Sequence, residues 1–195
     1  MADSVKLLFF AGSTRQGSFN RKLARCASDT ASSRGLAAEL IELSNYPMPI
    51  YNGDLEAKEG PPENARRLKE IFSQYQGIFI ASPEYNASVT PLLKNTLDWI
   101  SRVKESDGPP LDVFKTRVFA IGGASPGRFG GMRSLMTLRQ ILAVGLGALV
   151  LGEQIAVANA GSAFDEKGAF AQEPMQSLLA NVVDRLADAA RRFQE

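Results

Sequence analysis

The sequence predicts a doubly wound α/β fold in which helices cover both faces of a parallel sheet. Five short apolar runs, of which 5–11 and 77–81 are the clearest, alternate with longer amphipathic runs. Continuous apolar runs are typical of strands buried on both faces, and the amphipathic runs between them are typical of covering helices. Right-handed crossovers then require helices on both sides of the sheet. One such alternation over 195 residues indicates a single domain, residues 1–195.

The strands are predicted from apolar runs that end at turn residues. The run 5–11 stops at Gly12, and the run 77–81 stops at Ser82 and Pro83. A third run alternates apolar and acidic residues up to Leu43, which is typical of a strand. The predicted strands are 5–11, 37–43, 77–81, 117–121 and 148–151.

The helices are predicted from apolar residues at helical spacing. Leu68, Ile71 and Phe72 mark one helix, and Pro91 opens another at a position that favours proline. Two polar stretches are predicted to be loops; the first of them is rich in Pro, Gly, Asn and acidic residues. The predicted helices are 18–33, 63–75, 91–102, 132–144 and 173–193, and the loops are 45–62 and 104–115.

The composition excludes several classes of function. Lys and Arg number 22 and Asp and Glu 21, so the net charge of +1 provides no basic surface for nucleic acid. One cysteine and no histidine exclude internal disulfides and His-dependent catalysis, and we expect no metal site. No apolar run is long enough for a signal peptide or a membrane span, so we expect a cytoplasmic protein without membrane attachment. Phosphate binding, carboxylate chemistry and a cofactor with its own reactivity remain.

The first polar motif, Gly-Ser-Thr-Arg-Gln-Gly-Ser-Phe-Asn at 12–20, follows the first strand and suits a phosphate group. Glycine permits a tight turn, the hydroxyl and amide groups donate hydrogen bonds, and Arg15 offers a fork to a dianion. The next helix starts here with unpaired N–H groups. The motif lacks the Lys of a P-loop and the spacing of a dinucleotide fingerprint. The alternative is a polar turn with an ordinary helix N-cap.

Two further loops follow the third and fourth strands. In 82–91 an aromatic and several polar groups follow a buried strand, so Tyr85 could cover a planar ligand and Glu84 could be a lone general acid. The alternative is a loop capped by Ser88 or Thr90. In 122–131 five glycines indicate either close backbone approach to a ligand or a flexible surface loop.

The three loops are more informative together than separately. In a sheet of strand order 2-1-3-4-5, the first, third and fourth strands flank the point where the winding reverses. Ligands of doubly wound sheets bind at that point, beyond the carboxyl ends of the strands. One flat, phosphorylated ligand would therefore contact all three loops.

These motifs carry a resemblance to a known family. The first loop, then Pro-Glu-Tyr-Asn at 83–86, then Pro-Leu-Leu-Lys-Asn at 91–95 with Leu-Asp-Trp at 97–99, and finally Arg139-Gln140 occur in the order of the family. The chain resembles the NADPH-dependent FMN reductases, which include the bacterial chromate and quinone reductases. It departs from them at Thr90, where valine is usual, and over 145–162.

The resemblance implies a flavodoxin-like three-layer sandwich that binds FMN. It implies two-electron transfer from NADPH or NADH to quinones or similar small acceptors, with chromate, azo compounds or free flavin as further acceptors. It implies no catalytic residue in the protein, scaffold and subunit contacts for Lys94, Asn95, Asp98 and Trp99, and a homodimer or homotetramer. The implied contacts are Ser13, Arg15, Ser18, Phe19 and Asn20 to the FMN phosphate, Pro83, Glu84, Tyr85 and Asn86 to the ribityl chain and ring, and Ala124 and Ser125 to the ring.

The charges add one expectation. Arg128, Arg133 and Arg139 lie in 122–142, a stretch without Asp or Glu. An arginine near the flavin or the cofactor phosphate would favour a negatively charged reduced flavin or a phosphorylated cofactor. This predicts two-electron chemistry and a preference for NADPH. Alternatively, these arginines face solvent or a partner subunit.

Two other classes of protein stay open at this point. A flavodoxin-type electron carrier docks through a strongly charged face, and the near-zero net charge argues against it. A non-catalytic flavin-binding module could use the same fold without turnover. Cys26, on the first helix among apolar neighbours, is expected to be a buried structural thiol.

Overall fold

A five-stranded parallel sheet forms the middle layer in the computed structural model, which describes residues 5–104, 109 and 111–194. The neighbouring strands pair in parallel throughout, in the order β2-β1-β3-β4-β5. The predicted fold class and strand order are confirmed. The strands are β1 (Lys6–Ala11), β2 (Ala37–Leu40), β3 (Gly77–Ala81), β4 (Val118–Ala124) and β5 (Leu149–Val157).

Helices form the two outer layers. One layer, made by the first and last helices, buries Leu23 and Val183 against the sheet. The other layer buries Phe72, Leu97 and Leu138 against the opposite face. The helices are α1 (Phe19–Ser33), α2 (Gly53–Glu59), α3 (Glu63–Ser73), α4 (Pro91–Arg102), α5 (Asp112–Lys115), α6 (Met132–Gln140), α7 (Ala160–Ala163) and α8 (Glu173–Arg192).

The strand register aligns the ends of the three central strands. Ala11 pairs with Ala81, and Ala81 pairs with Gly122. The loops that follow β1, β3 and β4 therefore leave the same edge of the sheet side by side. This alignment positions the candidate site.

The predicted loop 45–62 was wrong in part, because it contains α2. Asn52 caps this helix, and its side-chain oxygen accepts hydrogen bonds from Asp54 N at 2.8 Å and Leu55 N at 3.2 Å. None of the residues of α2 is buried, so the helix has no apolar periodicity to detect. The second predicted strand, 37–43, gives way to a 3₁₀ turn at Leu43–Asn45.

The last two strands are longer than predicted. Gly122 belongs to β4 and not to a turn. A Cβ there would lie 2.8 Å from both Phe79 and Ile155, so this position of the strand needs glycine for close packing. The strand β5 continues past 151 through Glu153 and Gln154, whose polar side chains interrupt the apolar run. Such side chains fit an edge strand, which is partly exposed.

Two predicted segments change type near their ends. The helix predicted at 132–144 remains α-helical to Gln140 and then widens into a π-helical turn, Ile141–Gly145, in which Leu146 N donates to Ile141 O at 3.0 Å. The loop predicted at 104–115 contains α5, while 105–108 and 110 lie outside the described residues.

Candidate functional site at the carboxyl edge of the sheet

The three polar loops meet where the sequence places them, beyond β1, β3 and β4. Their first residues extend the sheet ladder: Gly12 N donates to Ala81 O at 2.9 Å, Ser82 N to Gly122 O at 2.7 Å, and Ser125 N to Val157 O at 3.1 Å. Because these bonds fix the residues at which the three loops leave the sheet, the loops together form one continuous rim along this edge of the sheet. The rim lies at the point where the winding of the sheet reverses.

The first loop presents hydrogen-bond donors without partners. The backbone N–H groups of Ser13, Thr14, Gln16 and Gly17 have no acceptor within the described residues. The hydroxyl of Ser13 accepts a bond from Arg15 N at 3.3 Å and keeps its own proton free to donate. Converging free N–H groups in a turn of this kind form an anion-binding concavity.

The start of α1 adds further donors. Ser18 occupies the N-cap position and is only 3% exposed, yet its side chain accepts no bond from the helix. The first N–H groups of a helix lack internal partners and carry partial positive charge. An uncapped helix start beside a loop of free amides suits a phosphate.

The guanidinium of Arg15 lies over its own loop. It donates to Gln16 O at 3.2 Å and more weakly to Gly17 O at 3.5 Å. Among the described residues no carboxylate pairs with it, so the charge is available to an anion bound in the loop.

Asn20, predicted to contact phosphate, makes a different contact here. Its side-chain Nδ2 donates to Ala124 O at 2.8 Å, and its Oδ1 accepts from Ala124 N at 2.9 Å. Both residues are buried. This paired contact joins the first loop to the end of β4, and binding of phosphate by Asn20 stays a prediction.

The second loop is a tight two-residue turn. Tyr85 and Ser88 exchange two backbone hydrogen bonds of 3.0 Å across Asn86 and Ala87. Both central residues are left-handed, with φ of 50° and 65°. Tyr85, at the base of this turn, is 52% exposed, whereas Pro83 is buried.

Glu84 is tied to the start of α6. Its carboxylate accepts from Arg133 N at 3.2 Å and Ser134 N at 3.4 Å, and it forms an ion pair with the Arg133 guanidinium. A carboxylate at a helix N-terminus is stabilised by the unpaired N–H groups and the helix dipole. The Ser134 hydroxyl also donates to Pro83 O at 2.9 Å, so the second loop is anchored to α6 at two points.

The glycine-rich third loop is held close to β5. The hydroxyl of Ser125 accepts from Gly127 N at 3.2 Å. Gly130 has φ of 60°, and a Cβ there would lie 2.7 Å from the Ala156 carbonyl carbon. The glycines therefore serve close backbone packing in this loop.

The third loop carries an aromatic ring that lies close to two arginines. The guanidinium of Arg128 lies 4.8 Å from the centroid of the Phe129 ring, and that of Arg133 lies 5.7 Å from it. Arg133 is paired with Glu84, and Arg139 donates to Gln154 Oε1 at 2.9 Å. Within the described residues Arg128 has no ion-pair partner.

Sequence reasoning missed two contacts near the site. Thr90 caps α4, as one alternative for this loop expected of Ser88 or Thr90, but its Oγ1 also donates to Gly12 O at 2.7 Å, which was not predicted. Phe164 stacks on Phe19 with 6.4 Å between ring centroids, and nothing in the sequence pairs these two rings.

The helix residues predicted as scaffold do make scaffold contacts. Trp99 Nε1 donates to Pro49 O at 2.7 Å, and Asn95 Nδ2 donates to the same oxygen at 2.9 Å. Lys94 and Asp98 form an ion pair of 2.7 Å along α4. The described residues contain neither a group of three or more metal-binding side chains nor a helix that could cross a membrane.

Fold and site together define a flavodoxin-like α/β protein whose carboxyl-edge loops suit a flat, phosphorylated cofactor. Residues 5–162 match the model of the family described as NADPH-dependent FMN reductase, and the chain belongs to that family. It is therefore a flavin-dependent oxidoreductase of the NAD(P)H-using type.

Individual relatives agree. The chain is 34% identical to an NAD(P)H-dependent FMN reductase of Pseudomonas aeruginosa over 100% of both chains. It is 34% identical to a quinone reductase of Escherichia coli K12 over 78% of this chain and 77% of that one. The solved flavoenzyme NAD(P)H:(acceptor) oxidoreductase of Paracoccus denitrificans superposes with a TM-score of 0.81 at 26% identity, covering 97% and 98% of the two chains.

Proposed function

We propose that this protein transfers two electrons from NADPH, through bound FMN, to quinones and similar small acceptors. The observation that carries the proposal is the set of free donors in the first loop beside the uncapped start of α1. Those donors match a phosphate dianion, and the exposed Tyr85 ring offers a face to a flat ring system. Relatives of this chain that are named quinone reductases support the acceptor class.

The residues of the three loops would have two roles, binding the FMN phosphate and holding the loops in position. Ser13, Arg15 and Ser18 bind the phosphate, while Asn20 and Glu84 hold the loops in place. When bound, the flavin supplies the electron transfer itself. The protein binds and orients the ring, and no side chain needs to act as an acid or base. The remaining predicted contacts, from Phe19, Pro83, Asn86, Ala124 and Ser125, belong to the same proposal.

The primary test is the visible spectrum of the purified protein, before and after anaerobic addition of NADPH. Flavin absorbance that bleaches directly to the two-electron reduced form supports the proposal, and steady NADPH oxidation with a quinone establishes turnover. A flavoprotein that accepts electrons only from a redox partner would instead support an electron carrier. A colourless protein that neither retains FMN nor oxidises NADPH would refute the proposal.

Preference for NADPH over NADH is assigned to Arg128. It lies on the rim, carries no partner carboxylate in the described chain, and is held on the exposed Phe129 ring. Arg133 and Arg139 are already engaged. Substituting Arg128→Ala should lower kcat/KM for NADPH about tenfold and leave NADH unchanged, because only NADPH has the extra phosphate. An unchanged NADPH/NADH ratio would contradict this assignment.

A homo-oligomer is proposed from exposed apolar side chains. Met136 on α6, Val144 on the π-helical turn and Leu149 on β5 are 67%, 81% and 44% exposed. Large exposed apolar groups on neighbouring elements are typical of protein interfaces. Light scattering should give a multiple of the 21.1 kDa chain mass, and Val144→Lys should lower that mass. A monomeric wild-type protein would contradict the proposal.

Cytoplasmic location is proposed because NADPH is supplied there, and cell fractionation tests it.

A further inference from the structure

We infer that Thr90 is a positioning residue that orients the Ser13 N–H toward the flavin phosphate. The inference rests on the proposed phosphate site in the first loop. It starts from a buried contact: Thr90 is 3% exposed, and its Oγ1 lies 2.7 Å from Gly12 O. This contact ties the loop after β3 to the first residue of the loop after β1.

The direction of the hydrogen bond is fixed. The Gly12 carbonyl oxygen can only accept, so the Thr90 hydroxyl must donate its proton to it. The same oxygen of Thr90 accepts from Leu93 N at 3.1 Å, at the start of α4. Both functions of the hydroxyl are therefore used within the protein, and Thr90 has no remaining proton to donate to a ligand.

The peptide unit transmits this contact to the phosphate loop. The Gly12–Ser13 peptide bond is trans, since the described chain contains no cis bond. In a trans peptide the C=O and the following N–H point in opposite directions. Because Thr90 holds the Gly12 C=O toward α4, the Ser13 N–H must point away from α4, and it has no acceptor within the described chain.

Close packing fixes the same peptide from its other end. Gly12 N donates to Ala81 O at 2.9 Å, and a Cβ at Gly12 would lie 2.9 Å from Leu93 Cβ. Only glycine lets the backbone approach α4 closely enough for the Thr90 hydroxyl to reach it. The Ser13 donor is thus oriented before any ligand arrives, which lowers the ordering cost of binding.

The test compares two flavins that differ by one phosphate. The dissociation constants of FMN and of riboflavin, which lacks the phosphate, are measured by flavin fluorescence on the full chain after removal of bound flavin. Thr90→Val removes the donor and keeps the side-chain shape, whereas Thr90→Ser keeps the hydroxyl. We expect Thr90→Val to weaken FMN binding about tenfold with riboflavin unchanged, and Thr90→Ser to bind both like the wild type.

Several results would overturn the inference. If Thr90→Val weakens the binding of both flavins equally, its role is merely structural, since Thr90 also caps α4. If Thr90→Val leaves FMN affinity unchanged, the contact between Thr90 and Gly12 does not affect phosphate binding. FMN affinity of Thr90→Ser as low as that of Thr90→Val would also overturn the inference, because serine keeps the hydroxyl donor. If Thr90→Val does not fold, Thr90→Ala carries the same comparison. A wild-type protein that binds both flavins equally would refute the phosphate site itself, and the inference with it.

Discussion

Replacing Asn20 with alanine tests whether the paired contact to Ala124 holds the site together. The substitution removes bonds of 2.8 and 2.9 Å and leaves a backbone N–H and C=O of Ala124 without partners in a buried position. Ser125 N already bonds β5, and the N–H and C=O of Ala124 point to the other side, where β3 has ended. No other strand can replace the lost amide.

The magnitude follows from these two groups. Each buried polar group left unpaired costs about 1–3 kcal/mol, so the two groups of Ala124 should lower the free energy of unfolding of Asn20→Ala by about 2–6 kcal/mol. For a chain of this size, about 2–4 °C is lost per kcal/mol, so Tm should fall by roughly 4–24 °C. Calorimetry on the flavin-free protein at one fixed pH measures this fall without a contribution from ligand binding.

Ser18→Ala is the matched control for Asn20→Ala. Ser18 is as buried as Asn20, with both 3% exposed, but its hydroxyl has no partner within the described chain. We expect Ser18→Ala to weaken FMN binding while leaving Tm unchanged. A fall of less than about 2 °C for Asn20→Ala, which corresponds to less than about 0.5–1 kcal/mol, would refute the reasoning. It would mean that water or a loop shift satisfies Ala124 instead.

Three further predictions concern other parts of the chain. Gly130→Ala should lower Tm by about 5 °C or more, because a left-handed residue costs about 1–2 kcal/mol and the Cβ would lie 2.7 Å from the Ala156 carbonyl carbon. The control Gly127→Ala, whose Cβ would lie 3.6 Å from its nearest atom, should change Tm little. Equal Tm values for the two variants would contradict this prediction. Burial raises the pKa of the Cys26 thiol from 9.0 to about 11, so its thiolate fraction near pH 8 is about 100-fold lower than usual. Its alkylation by iodoacetamide should be correspondingly slow and should accelerate toward pH 11. A rate at pH 8 equal to that of a free thiol would refute the raised pKa of Cys26. Asn52→Ala should cost about 1 kcal/mol in a chemical denaturation experiment, since it removes the cap of α2, and an unchanged midpoint would show that the cap contributes nothing.

The layered fold could be predicted from the sequence because burial repeats along it. Strands such as β3 are apolar at every position, and α4 begins and ends where its proline start and apolar spacing predict. The prediction failed where burial is weak or where glycine serves packing. The exposed helix α2 has no apolar face. Gly122 of β4 resembles a turn residue in the sequence, but in the fold Phe79 and Ile155 pack against it.

The location of the site could also be predicted, but the contacts inside it could not. The loops follow strands whose order the crossover rules fix, so their meeting point follows from topology. The contact between Asn20 and Ala124 joins residues separated by 104 positions, and that between Thr90 and Gly12 spans 78. No local pattern encodes which backbone group such a side chain will meet.

The residue types that suit a phosphate also suit a tie between loops, and the structure separates the two uses. Asn20 joins the first loop to β4, Thr90 joins the second loop to the first, and Glu84 joins the second loop to α6. Each contact satisfies its side chain within the protein, so each stabilises the loops without help from a ligand. Among the residues that the structure describes, the hydroxyls of Ser13 and Ser18 find no acceptor, and they lie beside N–H groups that are also unpaired there, so both kinds of donor are available to a ligand. Substitutions at Asn20 and Glu84 should therefore act first on stability, and substitutions at the free donors first on affinity for FMN. Thr90 belongs with the donors in this respect, because its contact with Gly12 orients the Ser13 N–H.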